Sequence, residues 1–296
     1  MPHPPHPHPH PHHAPTAGPD EAGLAALLDL DAEVLHTHLS ELTAWLLELA
    51  GEPPVRRALD LGSGTGTGTF TLLRHLPDAE VTAVDSSPYL LHHLRDSAHR
   101  LGLADRVRTV EADLDAAQWP ALGAVDLVWA SASLHHLADP VHALREMYAA
   151  LRPGGLLAVI ELDGLPRFLP DDLGLGAPGL EARCRTALAH RHAEAVPHLG
   201  ADWGPRLSRA GFAVEAERPF TLELRAPLPE AAGRYAQAVL RRTRAALEGR
   251  LGTGDLSVLD RLIDSDGPDS VLHRDDLVVR TERTVWAARR PPVTAG

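Results

Sequence analysis

Lysine is absent from the 296-residue chain, so all 28 residues counted as lysine or arginine are arginine. That absence excludes Schiff-base catalysis, a Gly-Lys-Ser/Thr phosphate loop and a kinase-type phosphate lysine. Cysteine is nearly as scarce: Cys184 stands alone. It has no partner for an intrachain disulfide, no cysteine-built zinc or iron–sulfur centre is possible, and no metal site is read. Aromatic residues make up 4% of the chain, leaving alanine, leucine and valine to fill the interior. No run of about 18 apolar residues occurs, and no basic segment precedes an apolar core at the N-terminus. The expectation is a cytoplasmic protein with no membrane partner. The net charge is −12, and an acidic surface repels phosphate backbones. That weakens the case for a nucleic-acid substrate without excluding one, and monomer and homodimer are left open.

Residues 1–20 form a His-Pro tract in which His3, His6, His8, His10, His12 and His13 alternate with prolines. Proline at this density removes backbone donors and blocks helix, so a disordered tail is expected. Residues 21–50 change to a helical period, with Leu35, Leu39, Leu42, Leu46 and Leu49 on one face. Short apolar runs at 57–61, 80–84, 107–111, 125–130 and 156–161 then alternate with helical stretches near 69–75, 88–101 and 141–151. Alternation of this kind predicts an α/β fold with a parallel sheet covered on both faces. Strands are expected again at 212–220 and 277–288, with helices near 230–251 and 256–263 between them. A helical cap (21–50), a core (55–161) and two variable insertions (162–204 and 225–275) make up one domain over 21–296.

Asp60-Leu61-Gly62-Ser63-Gly64-Thr65-Gly66 closes the first strand. A buried strand ends near an acid, and a glycine-rich turn leads into a helix where a Cβ would collide with a ligand. A dinucleotide fingerprint needs G-x-G-x-x-G, but counting from Gly62 or Gly64 the third position is Thr67 or Thr69. What stands here is Asp-x-Gly-x-Gly-x-Gly. Asp85 ends the second strand 19 residues after Gly66, placed to bond both hydroxyls of a ribose. Asp113 and Leu114 follow the third strand, suited to an adenine amino group and its ring face. Pro153-Gly154-Gly155 reads as a turn into the fifth strand. One strand-end acid alone is often a helix cap. Three in this order place a ligand along the carboxyl edge of the sheet.

These residues resemble class I S-adenosylmethionine-dependent methyltransferases over roughly 57–160. The resemblance implies a Rossmann-like, doubly wound sheet of about seven strands with the last antiparallel. It implies S-adenosyl-L-methionine as cofactor, with Asp60, Gly62, Ser63, Gly64, Thr65 and Gly66 at its methionine end. It places Asp85 with Ser86 at the ribose, Asp113 with Leu114 at the adenine, and Ala130 with Ser131 beside the cofactor.

Methyl transfer needs in-line alignment, and an oxygen or nitrogen acceptor also benefits from a base. Base candidates are His135 and His136 after the fourth strand, then Glu161 and Asp163 after the fifth; transfer by proximity alone stays open. Ala-Ser-Ala-Ser stands where enzymes methylating amino groups of DNA bases resemble Asn/Asp-Pro-Pro-Tyr, and Cys184 lacks a preceding proline. His38 and Trp45 are weighed as pocket residues and more simply read as a helix stripe. His190, His192 and His198 read as surface histidines, and Arg241, Arg242, Arg244 and Arg250 as a solvated face. The expected function is methylation of an O or N nucleophile on a small molecule of secondary-metabolite type. Rivals are a peptide or tRNA methyltransferase, a protein that binds the cofactor without methyl transfer, and NAD-dependent redox chemistry.

Overall fold

The computed structural model describes residues 19–292, so the expected His-Pro tail lies almost wholly outside the described residues. Helix α1 (Pro19–Ala50) opens the fold, and its leucine stripe is its buried face: Leu35, Leu39, Leu42 and Leu46 are each at most 5% exposed. Gly51 ends it at φ 67°, a left-handed turn that glycine enters without a Cβ clash.

Strands and helices then alternate: β1 (Arg57–Leu61), α2 (Thr67–His75), β2 (Glu80–Asp85), α3 (Pro88–Arg100), β3 (Val107–Glu111), β4 (Val125–Ser131), α4 (Pro140–Ala150) and β5 (Leu151–Leu162). The insertion carries α5 (Leu180–Ala195), and α6 (Gly204–Arg209), unmarked in the periodicity, follows at its end. Then come β6 (Ala213–Leu224), α7 (Ala232–Ala246), α8 (Thr253–Ile263) and β7 (Val279–Arg289). The single helix expected over 230–251 stops at Ala246, and α8 restarts beyond Gly249 and Gly252. The turn expected at Pro153-Gly154-Gly155 lies inside β5 instead. Leu151 pairs with Val125 and Leu156 with Leu127, so the extra residues bulge out of the ladder.

The seven strands order as β3-β2-β1-β4-β5-β7-β6. β1 to β5 pair in parallel, while β7 runs antiparallel to both β5 and β6. The expected Rossmann-like sheet with an antiparallel last strand is what forms. Central strands such as β4 are apolar along most of their length because helices cover both faces. Leu42 and Leu46 of α1 pack with α2 residues against one face, and Leu144 and Met147 of α4 with Leu207 of α6 against the other. A separate apolar cluster joins α1, α5, α7 and α8 beyond the sheet. The chain leaves β1 toward β2 and β3, then crosses back to β4. Ligands in such sheets bind at this switch point, outside the carboxyl ends of the strands.

Candidate active site

The glycine loop rises from β1 at that switch point. Gly62, Gly64 and Gly66 have φ of 66°, 53° and 99°, values that a side chain strains. A Cβ on Gly62 would also stand 2.5 Å from Ser133 Cβ. Glycine there lets the loop after β1 lie on the loop after β4. Ser63 N–H donates to Val84 O at 3.0 Å, and Gly64 N–H donates to Asp85 Oδ2 at 2.8 Å. Asp85 Oδ1 accepts from Ser87 N–H at 2.9 Å. The Asp85 carbonyl takes Ala112 N–H at 3.0 Å, beside Asp113. Gly64, Asp85 and Asp113 therefore occupy one contiguous rim.

Three expected contacts fall elsewhere. Asp60 is 2% exposed beneath the loop, its Oδ2 accepting from Thr69 Oγ1 at 2.7 Å, so it clasps the first turn of α2. Burial raises its pKa to about 6, with the Asp85 charge adding to the rise and the Thr69 hydrogen bonds opposing it. Thr65 faces a cavity between α1, α2 and α3. Ala130 is fully buried in the core. Ser86 is exposed at the end of β2, and Ser131 is half-buried at the end of β4. Asp113 is exposed, with Oδ1 accepting from Asp115 N–H at 2.9 Å. Leu114 is 8% exposed and packs into the core cluster under α4.

Helix α1 crosses this rim, an arrangement with no signature in the sequence. Leu28 Cδ1 lies 3.0 Å from where a Gly64 Cβ would stand. Ser87 Oγ donates to Glu21 Oε1 at 2.7 Å, and His93 meets Asp29 at 2.8 Å. Ser87, Ser133 and Asp115 also escaped the sequence reading. Asp115 Oδ1 accepts Ala138 and Asp139 N–H at 2.9 and 3.1 Å, tying the loop after β3 to that after β4.

The base candidates sort themselves. His135 and Glu161 are 5% and 1% exposed, and His135 Nδ1 lies 2.5 Å from Glu161 Oε2. Glu161 Oε1 accepts Ser133 and Leu134 N–H at 3.1 and 2.7 Å. With both oxygens engaged, Glu161 holds the imidazole rather than a substrate proton. His135 Nε2 has no partner among the described residues. His136 turns outward, its ring 4.2 Å from that of His135, and partial burial followed by the neighbouring His135 lowers its pKa. Asp163 accepts Thr284 Oγ1 at 3.1 and 3.0 Å on the exposed rim, outside the dyad. His38 and Trp45 pack on Phe220 of β6, each 5.7 Å between ring centroids, four strands from β1. The side chains of His190 and His192 lie outside the described residues, and His198 Nδ1 meets Arg206 at 3.1 Å. Arg242 pairs with Asp20 and Arg244 with Asp260.

Residues 59–157 match a family model described as a methyltransferase domain. That stretch carries a methyltransferase domain. The chain is 38% identical over 128 residues to trans-aconitate 2-methyltransferase of Methylobacterium radiotolerans, covering 42% of this chain and 46% of that protein. It is 34% identical over 194 residues to malonyl-[acyl-carrier protein] O-methyltransferase of Laribacter hongkongensis, covering 62% and 59%. The chain thus matches about half the length of these curated relatives. A solved Bacillus halodurans C-125 protein shares the fold at TM-score 0.53 and 18% identity, over 84% of this chain and 98% of that one.

The methyltransferase family's cofactor is S-adenosylmethionine, and the rim fits it. A carboxylate offers about four lone-pair sites; Gly64 and Ser87 use one on each Asp85 oxygen, leaving acceptors for two hydroxyls. The Gly62 and Gly64 positions leave room that a Cβ would fill against Ser133 and Leu28. Among the described residues, no helix is long and apolar enough to cross a membrane.

Proposed function

We propose that this methyltransferase methylates an oxygen or nitrogen of a small molecule, with His135 as the base and Glu161 as its positioning residue. The observation that carries this is the buried His135–Glu161 pair at the carboxyl ends of β4 and β5, on the rim that holds the glycine loop. Glu161 accepts the Nδ1 proton and so selects the tautomer whose Nε2 accepts. Two backbone N–H groups on the other oxygen keep the carboxylate from turning.

When bound, the cofactor supplies an electrophilic methyl on a sulfonium. Asp85 and Asp113 are assigned to its ribose and adenine, and the loop from Gly62 to Gly66, braced by Asp60, to its methionine end. Helix α1 covers the rim beside Gly64 and keeps water out. The acceptor is assigned to the space framed by α1, the 162–204 insertion and α7. Relatives named for trans-aconitate and for malonyl carried on a protein act on small acids or carrier-linked acids. This supports a small acceptor, and we place it among secondary metabolites.

Pure protein incubated with labelled cofactor and a host metabolite extract tests this directly. Mass spectrometry should reveal a product heavier by one methyl group. His135→Ala should lower its formation by about 10²–10⁴-fold while cofactor affinity holds. Cofactor binding without any methylated product would leave only a cofactor-binding protein and overturn the reading.

A further inference from the structure

A cavity of about 280 Å³ opens between α1, α2 and α3, with Thr65 of the glycine loop in its lining. Two guanidiniums line it, Arg74 from the end of α2 and Arg100 from the end of α3. The net charge is −12, and arginines elsewhere commonly pair with carboxylates, as Arg152 does with Asp126 and Arg183 with Asp255. Arg74 has no hydrogen bond or ion pair among the described residues, and the bond found for Arg100 is to Ser97 Oγ at 2.7 Å. Asp29 stands on the wall but is engaged by His93 at 2.8 Å. His36 is spent as well, Nδ1 on Glu33 O and Nε2 on the Thr37 hydroxyl. Thr65 and Thr67 complete the polar lining at the entry to α2.

Two guanidiniums with no carboxylate partner among the described residues line one cavity together with threonine hydroxyls, a donor set for an anion. A single arginine fork already satisfies a planar carboxylate. Forks from two helices, with threonine hydroxyls in the same lining, match the oxygens of a phosphate better. From this we infer a second ligand site that takes a small phosphorylated molecule, separate from the methyl-transfer rim and independent of the His135–Glu161 assignment. Its occupant would clasp α1, which supplies one wall, to α2 and α3, which supply the others.

Calorimetric titration of the full chain with inorganic pyrophosphate at constant ionic strength tests the site, with citrate as the carboxylate control. Both arginines are exposed, and surface changes of this kind usually leave stability within about 0.5 kcal/mol. The Arg74→Gln/Arg100→Gln double variant is therefore a usable probe. Saturable one-to-one binding should weaken at least about tenfold in the double variant and persist in Arg56→Gln, whose arginine pairs with Asp78 instead. Absence of saturable binding, equal binding by the double variant, or citrate binding as tight as pyrophosphate would each overturn the proposal.

Discussion

Glu161→Gln changes almost nothing in volume but reverses a hydrogen-bond polarity inside the buried dyad. The glutamine oxygen keeps the Ser133 and Leu134 N–H groups, now 3.1 and 2.7 Å from Glu161 Oε1. Its amide NH₂ then faces His135 Nδ1, where the carboxylate stood at 2.5 Å. Two donors repel, so the imidazole proton must move to Nε2. Nε2 then stops accepting, and a general base worth about 10²–10⁴-fold is lost, roughly 3–5 kcal/mol of barrier. Losing the charge-assisted bond should also lower stability by about 1.5–3 kcal/mol. Imidazole nitrogen shifts from ¹⁵N NMR read the tautomer without any acceptor: Nδ1–H in the parent, Nε2–H in the variant. Methyl transfer should fall in kcat while cofactor affinity by calorimetry stays level. An unchanged tautomer, or a rate within about threefold of the parent, would refute the reasoning.

Asp60→Asn should raise stability at pH 8. Burial lifts the Asp60 pKa from 3.8 to about 6, so its favourable contribution is full below 3.8 and gone above about 6. The ionised form then costs ~3 kcal/mol. The melting gain should vanish near pH 4, and a pH-independent gain would sink the argument. Gly62→Ala meets both a left-handed backbone and Ser133 Cβ at 2.5 Å, so chemical denaturation should show a loss of about 2–5 kcal/mol; a neutral result would mean the two loops do not touch. Asp85→Ala should weaken cofactor binding by about 1.5–3 kcal/mol, measured by calorimetry, and unchanged affinity would remove Asp85 from the ribose.

Much of the fold was legible because local periodicity carries it. The β1 strand at Arg57–Leu61 and the β3 strand at Val107–Glu111 fall where the apolar runs place them. Helix α1 was visible in leucines three and four apart. Boundaries slipped where turn residues took a tertiary role, as at Pro153-Gly154-Gly155, absorbed as a bulge because β4 runs alongside. His135 and His136 are adjacent and chemically identical in sequence. The short 3-10 turn over Leu134–His136 rotates successive side chains by about 120°, sending one inward to Glu161 and the other to solvent.

From residue order alone came the strand–helix alternation, the glycine-rich turn and the acids at strand ends, because each depends on neighbours a few positions apart. Folding added the contacts between distant segments. It set Ser133 against Gly62, Glu161 against His135 and Leu28 against Gly64. It also turned Asp60 inward and Thr65 away from the rim. Such choices rest on packing and burial across strands and helices dozens of residues apart, and no local pattern encodes them.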